Sequence, residues 1–537
     1  QTMNSKLLIL PGALCAATTG GAFARSTRPQ PAPQRPNIIY IMSDDHAVQA
    51  ISAYGHPLSQ VAPTPNIDRI AAEGVRFDRA YCGNSVSGPS RASILTGKHS
   101  FSNGFRTNAD FFDGAQTTLP KVLQANGYST AIIGKWHLKT YPTGFDYWKV
   151  LDDQGMYYNP DFVVMSGDTV RQRGYVTDIV ADESIEWIDR HKDAPFFIMV
   201  HNKAPHRNFQ PAPRHLTLHE QTFFPYPETL FDSWSGRKAA ARQEMSIAGH
   251  LMPAYDLKLH TRREGWDPKT DWGPDYRFMD STEREAYIAS YDAANDAYYR
   301  NPPTGDSLTR WKFQRYMRDY FSTIAAVDEN VGKILDYLDR SGLAENTIVV
   351  YASDQSFYLG EHGWFDKRFM YEESMRMPLV IRYPREIPAG TQARRTLVQN
   401  IDFAPTLLDW CGIAKPDSMQ GESFRAIARG GDRAVRPGRD WRNTLYYRYF
   451  ENPGIHNVMQ HAGVHDGRWK LVYFYSNETP VPSEHFFELY DLHRDPHEMH
   501  NLYGTPGTER QTDRLMRELK RLAAYYNETL PTCPELE

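Results

Sequence analysis

Four short apolar runs in this chain each stop abruptly at charged or imidazole-bearing residues, and that pattern does most to limit the fold. Ile38-Ile39-Tyr40-Ile41-Met42 runs into Ser43-Asp44-Asp45-His46, and residues 128–133, less purely apolar, run into Gly134-Lys135-Trp136-His137. Residues 195–200 run into His201-Asn202-Lys203-Ala204-Pro205-His206, and residues 347–352 into Ser353-Asp354-Gln355. A short continuous apolar run suits a parallel strand buried on both faces. Helical patterns lie between the runs, over residues 118–126, 176–190 and 316–339. The alternation predicts an α/β fold with a large, mostly parallel sheet between helices. Ligands in such folds gather beyond the carboxyl ends of the strands.

The chain has 537 residues, 41% of them hydrophobic, and a formal net charge of −5. It is too long for one small core, so two domains are expected. No basic tract suits nucleic acid, and any anion recognition has to come from a local cluster of cations. The texture changes near Trp441: residues 444–450 and 468–475 read as antiparallel strands rich in aromatics, and residues 512–526 as an amphipathic helix. The expected division is a catalytic domain over residues 37–440 and a smaller antiparallel-sheet subdomain over 441–537. Residues 205–309 mix aromatics, Pro and charges without a clear period; a lid over the substrate and a structural insertion are both open readings.

Lys6, the mostly apolar residues 7–17 and Ala22-Phe23-Ala24 read as a signal peptide over residues 1–24, followed by a Pro-rich linker over 25–36. No later apolar run reaches membrane-spanning length. The expectation is export, to a periplasm first, with a lysosome or secretion as the eukaryotic equivalents. Removal of Cys15 with the signal leaves Cys82, Cys411 and Cys533, an odd number that makes no disulfide framework.

Ser87-Gly88-Pro89-Ser90-Arg91 reads as a helix start, with Ser87 as N-cap and Pro89 in the first turn. Such a start favours an anion, and Arg91 adds a permanent positive charge. Asp44, Asp45, Asp354 and Gln355, with an oxygen from residue 87, would make an oxygen-only site that suits calcium better than zinc. Lys135, His137, Lys203, His206 and Lys367 supply positive or proton-carrying groups close to the same strand ends.

The spelling from Ser87 to Thr96-Gly97 resembles the signature of the type I sulfatases. Gly134-Lys135-Trp136-His137-Leu138 resembles the family's second signature, and Ala204-Pro205-His206 matches as well. Lys367 stands in Phe365-Asp366-Lys367-Arg368, after Gly360-Glu361-His362-Gly363, and Glu488-Leu489-Tyr490-Asp491-Leu492 with Asp495-Pro496 resembles the family's closing motif. The likeness runs from Asn37 to about Leu502. It implies an alkaline-phosphatase-like sulfatase fold, calcium held by the residues named above, and Ser87 converted to formylglycine by a maturation enzyme. It further implies that Arg91, Lys135 and Lys367 hold the sulfonyl oxygens. His206 would serve as general acid with Lys367 assisting, and His137 would take the proton of the diol's second hydroxyl.

Lys98-His99-Ser100 with Asn103-Gly104-Phe105, Ala204-Pro205-His206-Arg207-Asn208, and Phe357-Tyr358-Leu359-Gly360-Glu361-His362 look similar to the glucosamine-6-sulfatase branch. Ser356 departs from that branch, where Gly is expected. The likeness implies a sulfated saccharide as substrate, the 6-O-sulfate of N-acetyl or N-sulfo glucosamine in heparan-type chains. Lys203, His362, His456 and His461 are the candidates to bind it, with His461 preferred to His456 and with bracing of its loop as the other open reading of His362. Two rivals stay open: a phosphomonoester or phosphonate hydrolase of the same superfamily, which would want a second metal's ligands, and an inactive binder of sulfated glycans.

Overall fold

The computed structural model describes residues 35–261, 265–452, 454–477 and 481–536. The expected signal peptide, residues 25–34 of the linker and Cys15 lie outside the described residues. Eleven strands make the larger sheet among those described. They are β1 (Asn37–Ser43), β2 (Val75–Tyr81), β3 (Ser129–Gly134), β4 (Tyr147–Leu151), β5 (Asp161–Val164), β6 (Thr169–Arg171), β7 (Phe196–His201), β8 (Thr347–Ser353), β9 (Arg376–Arg382), β10 (Thr391–Ala393) and β11 (Val398–Gln399). Their order is β10-β2-β9-β8-β1-β7-β3-β4-β5-β6, with β11 also paired to β2. The four expected strands are β8, β1, β7 and β3, adjacent and parallel at the centre.

Side chains alternate across a strand, and β1 uses both faces. Ile38, Tyr40 and Met42 enter one core; Ile39 and Ile41 enter the other. The second core is closed by the helices Gly305–Ser341, through Ala326, Val327 and Val331, and Val176–His191, through Val176 and Val180. The first is closed by the helices Ser87–Thr96 and Phe403–Trp410, through Ile94, Leu95, Leu407 and Leu408. Each fully buried isoleucine contributes about 1.5–3 kcal/mol.

Among the elements that the sequence reading did not contain, three show a physical reason. β2 mixes buried Val75 and Phe77 with half-buried Arg76 and Asp78, which pair with each other at 2.6 Å, so no apolar run marks it. β9 contains Pro378, which argues against a strand. Its ladder to β8 begins only at Leu379 and its ladder to β2 skips Pro378, so the missing N–H costs no bond. Residues 205–309, read as irregular, contain the 20-residue helix Ser281–Arg300, started by a capping box between Asp280 and Glu283. Only Tyr287, Ile288, Tyr291 and Asn295 are buried along it, too few to give a legible stripe.

The smaller sheet runs β12 (Leu445–Tyr449), β13 (Gln460–His465), β14 (Trp469–Tyr475), β15 (His485–Asp491), antiparallel throughout. β13 was not expected. The helix Glu509–Tyr525 covers one face with Leu515, Leu519 and Leu522. The other face, through Tyr447, Tyr449, Val472 and Phe474, joins the core of the larger sheet. Cys82, Cys411 and Cys533 are buried free thiols.

Gly134 closes β3 at φ 107°, and a Cβ there would meet the His201 carbonyl oxygen at 2.0 Å. The same oxygen accepts from the Lys135 N–H at 2.8 Å. Gly134→Ala is expected to cost at least about 2 kcal/mol in urea unfolding, from backbone strain plus the clash. A loss within about 0.5 kcal/mol would show that this strand end yields easily.

Candidate active site

The register of the central strands builds the site. Ser43 of β1 stands opposite Ser353 of β8, Met42 opposite His201 of β7, and Gly134 of β3 opposite His201 as well. Asp44, Asp354, Asn202 and Lys135 therefore emerge together, one residue beyond, at one edge of the sheet. Tyr320 of the helix Gly305–Ser341 holds the turn that follows β1. Its hydroxyl donates to the Asp45 carbonyl oxygen at 2.7 Å and accepts from the Ala47 N–H at 2.9 Å, while Asp45 itself takes φ 64°.

Asp44, Asp45 and Asp354 are wholly buried, with carboxylate oxygens within 4.8 Å of one another. Three cations face them. Lys135 Nζ pairs with Asp44; Lys367 Nζ lies 2.6 and 2.8 Å from the two oxygens of Asp45; Arg91 Nε lies 3.1 Å from Asp354 Oδ2. Burial raises all three carboxyls, but the balance differs. Lys135, His206 and Arg91 bring Asp44 well below the carboxylate range. Asp45, despite Lys367, is pushed up to about 7 by burial and the neighbouring carboxylates, and Asp354 up to about 6 by burial and Asp44. Gln355 donates through Nε2 to Asp45, which leaves its Oε1 buried without a hydrogen-bond partner among the described residues. Three crowded carboxylates and an orphaned amide oxygen are the donor set a hard divalent cation takes, so these residues fit calcium.

Ser87 is 2% exposed and its Oγ donates to Asp44 Oδ1 at 3.0 Å. It is not the N-cap. Val86, with extended backbone, holds that position, so Ser87 opens the first turn and its hydroxyl turns inward instead of capping. The Gly88 N–H is taken by Asn108 Oδ1 at 3.0 Å. Arg91, also 2% exposed, is engaged by Asp354, Asp44 and the Lys135 carbonyl oxygen, so it braces the frame from within. His206 Nε2 lies 3.7 Å from Asp45 Oδ2, and its Nδ1 donates to the Arg207 carbonyl oxygen at 2.7 Å. His137 Nε2 lies 2.8 Å from Gln154 Nε2. Burial and Lys135 hold both imidazoles well below their usual range. Lys203 lies over the Tyr157 ring and donates to the Gln154 carbonyl oxygen at 3.2 Å; burial and Lys135 bring it down to about 8.

The structure thus brings together Asp44, Asp45, Ser87, Arg91, Lys135, His137, Lys203, His206, Asp354, Gln355 and Lys367. It does not bring in His362 or His461. His362 is wholly buried at φ 56°, with Nδ1 2.9 Å from Asp232 Oδ2 and its carbonyl accepting from Trp234 Nε1. Asp232 and Glu373 outweigh burial and raise it to about 9, so it braces the loop as a cation. His461 lies inside β13, stacked on Tyr447, Tyr449 and Phe369 with Nδ1 2.8 Å from the Met459 carbonyl oxygen. Burial lowers it to about 3 and no face reaches solvent, which corrects its expected role. His456 is the histidine that adjoins the site, with Nε2 3.2 Å from Asp366 Oδ2. Gln154, Asp366 and Arg368 were missed; only their places beyond β4 and beside Lys367 could have marked them. Among the described residues the other group able to hold a metal is His485, Cys533 and Glu535, formed by β15 and residues close to the C-terminus, so no second metal's ligands adjoin the three aspartates.

Two family models match the chain: "Sulfatase" over residues 36–413, and "N-sulphoglucosamine sulphohydrolase, C-terminal" over residues 360–525. The N-acetylglucosamine-6-O-sulfatase of Bacteroides thetaiotaomicron is 45% identical over 535 residues, covering 98% of this chain and 92% of that protein. The human N-acetylglucosamine-6-sulfatase is 25% identical, covering 93% and 85%. A solved structure of a protein in complex with its substrate, D-glucosamine-2-N,6-O-disulfate, superposes with a TM-score of 0.88 at 46% identity, covering 93% of this chain and 99% of that one. With its strand-end carboxylates, its buried serine and these matches, the chain belongs to the sulfatase family.

Proposed function

We propose that the chain is a sulfuric ester hydrolase that removes the 6-O-sulfate of glucosamine, N-acetylated or N-sulfated, from heparan-type saccharides. The observation that carries the reading is the Ser87 hydroxyl bonded to Asp44 inside a cluster of three carboxylates and three cations. The descriptions of the matches more than 40% identical support the sugar and the position of the ester.

Calcium, held by Asp44, Asp45, Asp354 and Gln355, would turn a site of balanced formal charge into one with net positive charge, suited to a sulfate ester. Formylglycine at position 87, hydrated, would supply two hydroxyls on one carbon: the oxygen of one would bond to sulfur as the sugar oxygen leaves, and loss of the other's proton would re-form the aldehyde, breaking the first C–O bond and releasing sulfate. The remaining work falls to side chains in hand. Lys135 and Lys367, each anchored by one aspartate, present fixed charge to the sulfonyl oxygens without reorganising. Arg91 holds Asp354 and the Lys135 main chain so that those groups stay in place. The Arg207 carbonyl fixes the proton on His206 Nδ1, so Nε2 is the atom that exchanges one with the leaving oxygen. Burial and Lys135 keep that imidazole neutral in the free site; an anionic ester offsets the lysines and lets it carry the proton it gives. His137 is the second proton-handling group. His456, joined to Asp366 beside Lys367, is the histidine of the smaller sheet's region in reach of a bound sugar.

Among the described residues no helix is long and apolar enough to cross a membrane. The N-terminal residues support export, and a maturation enzyme that accepts serine is the partner this reading requires.

Three outcomes are expected. A preparation in which mass spectrometry finds residue 87 oxidised should turn over glucosamine-6-sulfate saccharides and leave sugar phosphates nearly untouched, while one with unmodified Ser87 should bind them without turnover. Sustained turnover by the unmodified protein, or equal rates on phosphates, would overturn the assignment. Asp354→Asn should reduce calcium, measured by elemental analysis after dialysis, from one ion per chain towards none; full retention would remove Asp354 from the ligand set. His206→Ala should lower kcat/KM on sugar sulfates by about 10²–10⁴-fold but on nitrophenyl sulfate by less than about 10-fold, because that leaving group needs no proton. Equal losses would take the general-acid role from His206.

A further inference from the structure

β4 runs parallel beside β3, with Val150 opposite Gly134, so the residues after β4 emerge next to Lys135. The loop turns sharply there. Asp153 takes φ 48° and Gly155 φ 69°, the Gly155 N–H returns to the Asp152 carbonyl oxygen at 2.9 Å, and a Cβ on Gly155 would meet Leu151 Cδ1 at 2.6 Å. The half-buried Gln154 between them touches three site residues. Its Oε1 accepts from Lys135 Nζ at 2.5 Å, its Nε2 lies 2.8 Å from His137 Nε2, and its carbonyl oxygen accepts from Lys203 Nζ at 3.2 Å.

A carboxamide has one accepting end and one donating end. Lys135, paired with Asp44, can only donate, so Oε1 must face it. The NH₂ end must then face His137 and can only donate, so His137 Nε2 has to accept. The ring's single proton therefore sits on Nδ1, which is buried with no hydrogen-bond partner among the described residues. We infer that Gln154 is a positioning residue that locks Lys135 and His137 in register and holds His137 as the Nδ1–H tautomer. The inference rests on the sulfatase reading only for what the two residues do. For Nδ1 to accept a proton the carboxamide must first turn over, which sets its NH₂ end against the Lys135 ammonium. In the resting site His137 thus offers a hydrogen-bond donor, not a lone pair.

The tautomer is read without turnover. Protein labelled with ¹⁵N-histidine, compared with its His137→Asn variant to identify the ring's signals, should show His137 neutral with the proton on Nδ1. Gln154→Glu offers only accepting oxygens, so the proton should move to Nε2. A wild-type ring protonated on Nε2, or an unchanged pattern in Gln154→Glu, would overturn the inference and leave the sulfatase reading standing. Gln154→Leu, matured like the parent, should lose about 10²-fold in kcat on both sugar and nitrophenyl sulfate, with KM within a few fold, as expected when groups are misplaced by about an ångström. An unchanged kcat would likewise reject the positioning role.

Discussion

Everything in this molecule is arranged so that three carboxylates and three cations can be buried against one another at the end of a sheet. Isolated charges do not survive removal from water, and even paired ones break even only with good geometry and further hydrogen bonds. The pairings here come from different strands: Asp44 from β1, Lys135 from β3, Asp354 from β8, each fixed in depth by the ladder behind it. Removing one member of such a buried pair leaves its partner exposed to a penalty of about 3–5 kcal/mol. That penalty makes the register itself a functional quantity, since a slip of one residue would turn each of these side chains to the opposite face of the sheet.

The same dependence explains what could be read from the chain. Asp44, Lys135 and Asp354 were legible because each follows an apolar run whose burial on both faces is written in its composition. Ser87, Arg91 and Lys367 were legible through family spelling. Gln154 follows β4, whose Tyr-Trp-Lys-Val-Leu is not purely apolar, and nothing in Asp152-Asp153-Gln154-Gly155 distinguishes it from an ordinary turn. His461 misled because histidine type and approximate position were visible while its strand was not; burial within an aromatic stack is a tertiary property with no local signature. β2 and β9 were hidden for a related reason, one by an internal ion pair and the other by a proline placed where the ladders leave a gap.

The smaller sheet is part of the site's construction. Tyr447 of β12 donates its hydroxyl to the Arg368 carbonyl oxygen at 2.6 Å and accepts from the Ser85 N–H at 3.1 Å. One ring thereby ties the approach to Ser87 to the segment that carries Lys367. Glu451, just beyond the same strand, pairs with Arg368 and accepts from the Asn108 N–H at 3.3 Å. The charged groups emerge from the ends of the large sheet and the segments beside it, while Tyr447 and Glu451 brace two of those segments, so a change in the small sheet at these positions is felt around Ser87 and Lys367.

The near-complete burial of Ser87 sets an order in time. A reagent the size of an enzyme cannot reach a side chain that is 2% exposed, so the conversion proposed for it belongs to the interval before the pocket closes. The segment around the serine is held by groups far along the chain: Asp354 accepts from Arg91, and Tyr447, 362 residues beyond Ser85, accepts from the Ser85 N–H, and distant contacts of this kind form late. Residue 87 precedes, in order of synthesis, the partners that hold its segment. If residue 87 is to be oxidised, the non-local contacts that bury it have to form after the oxidation, and a change that enclosed the serine sooner would leave more of it unconverted.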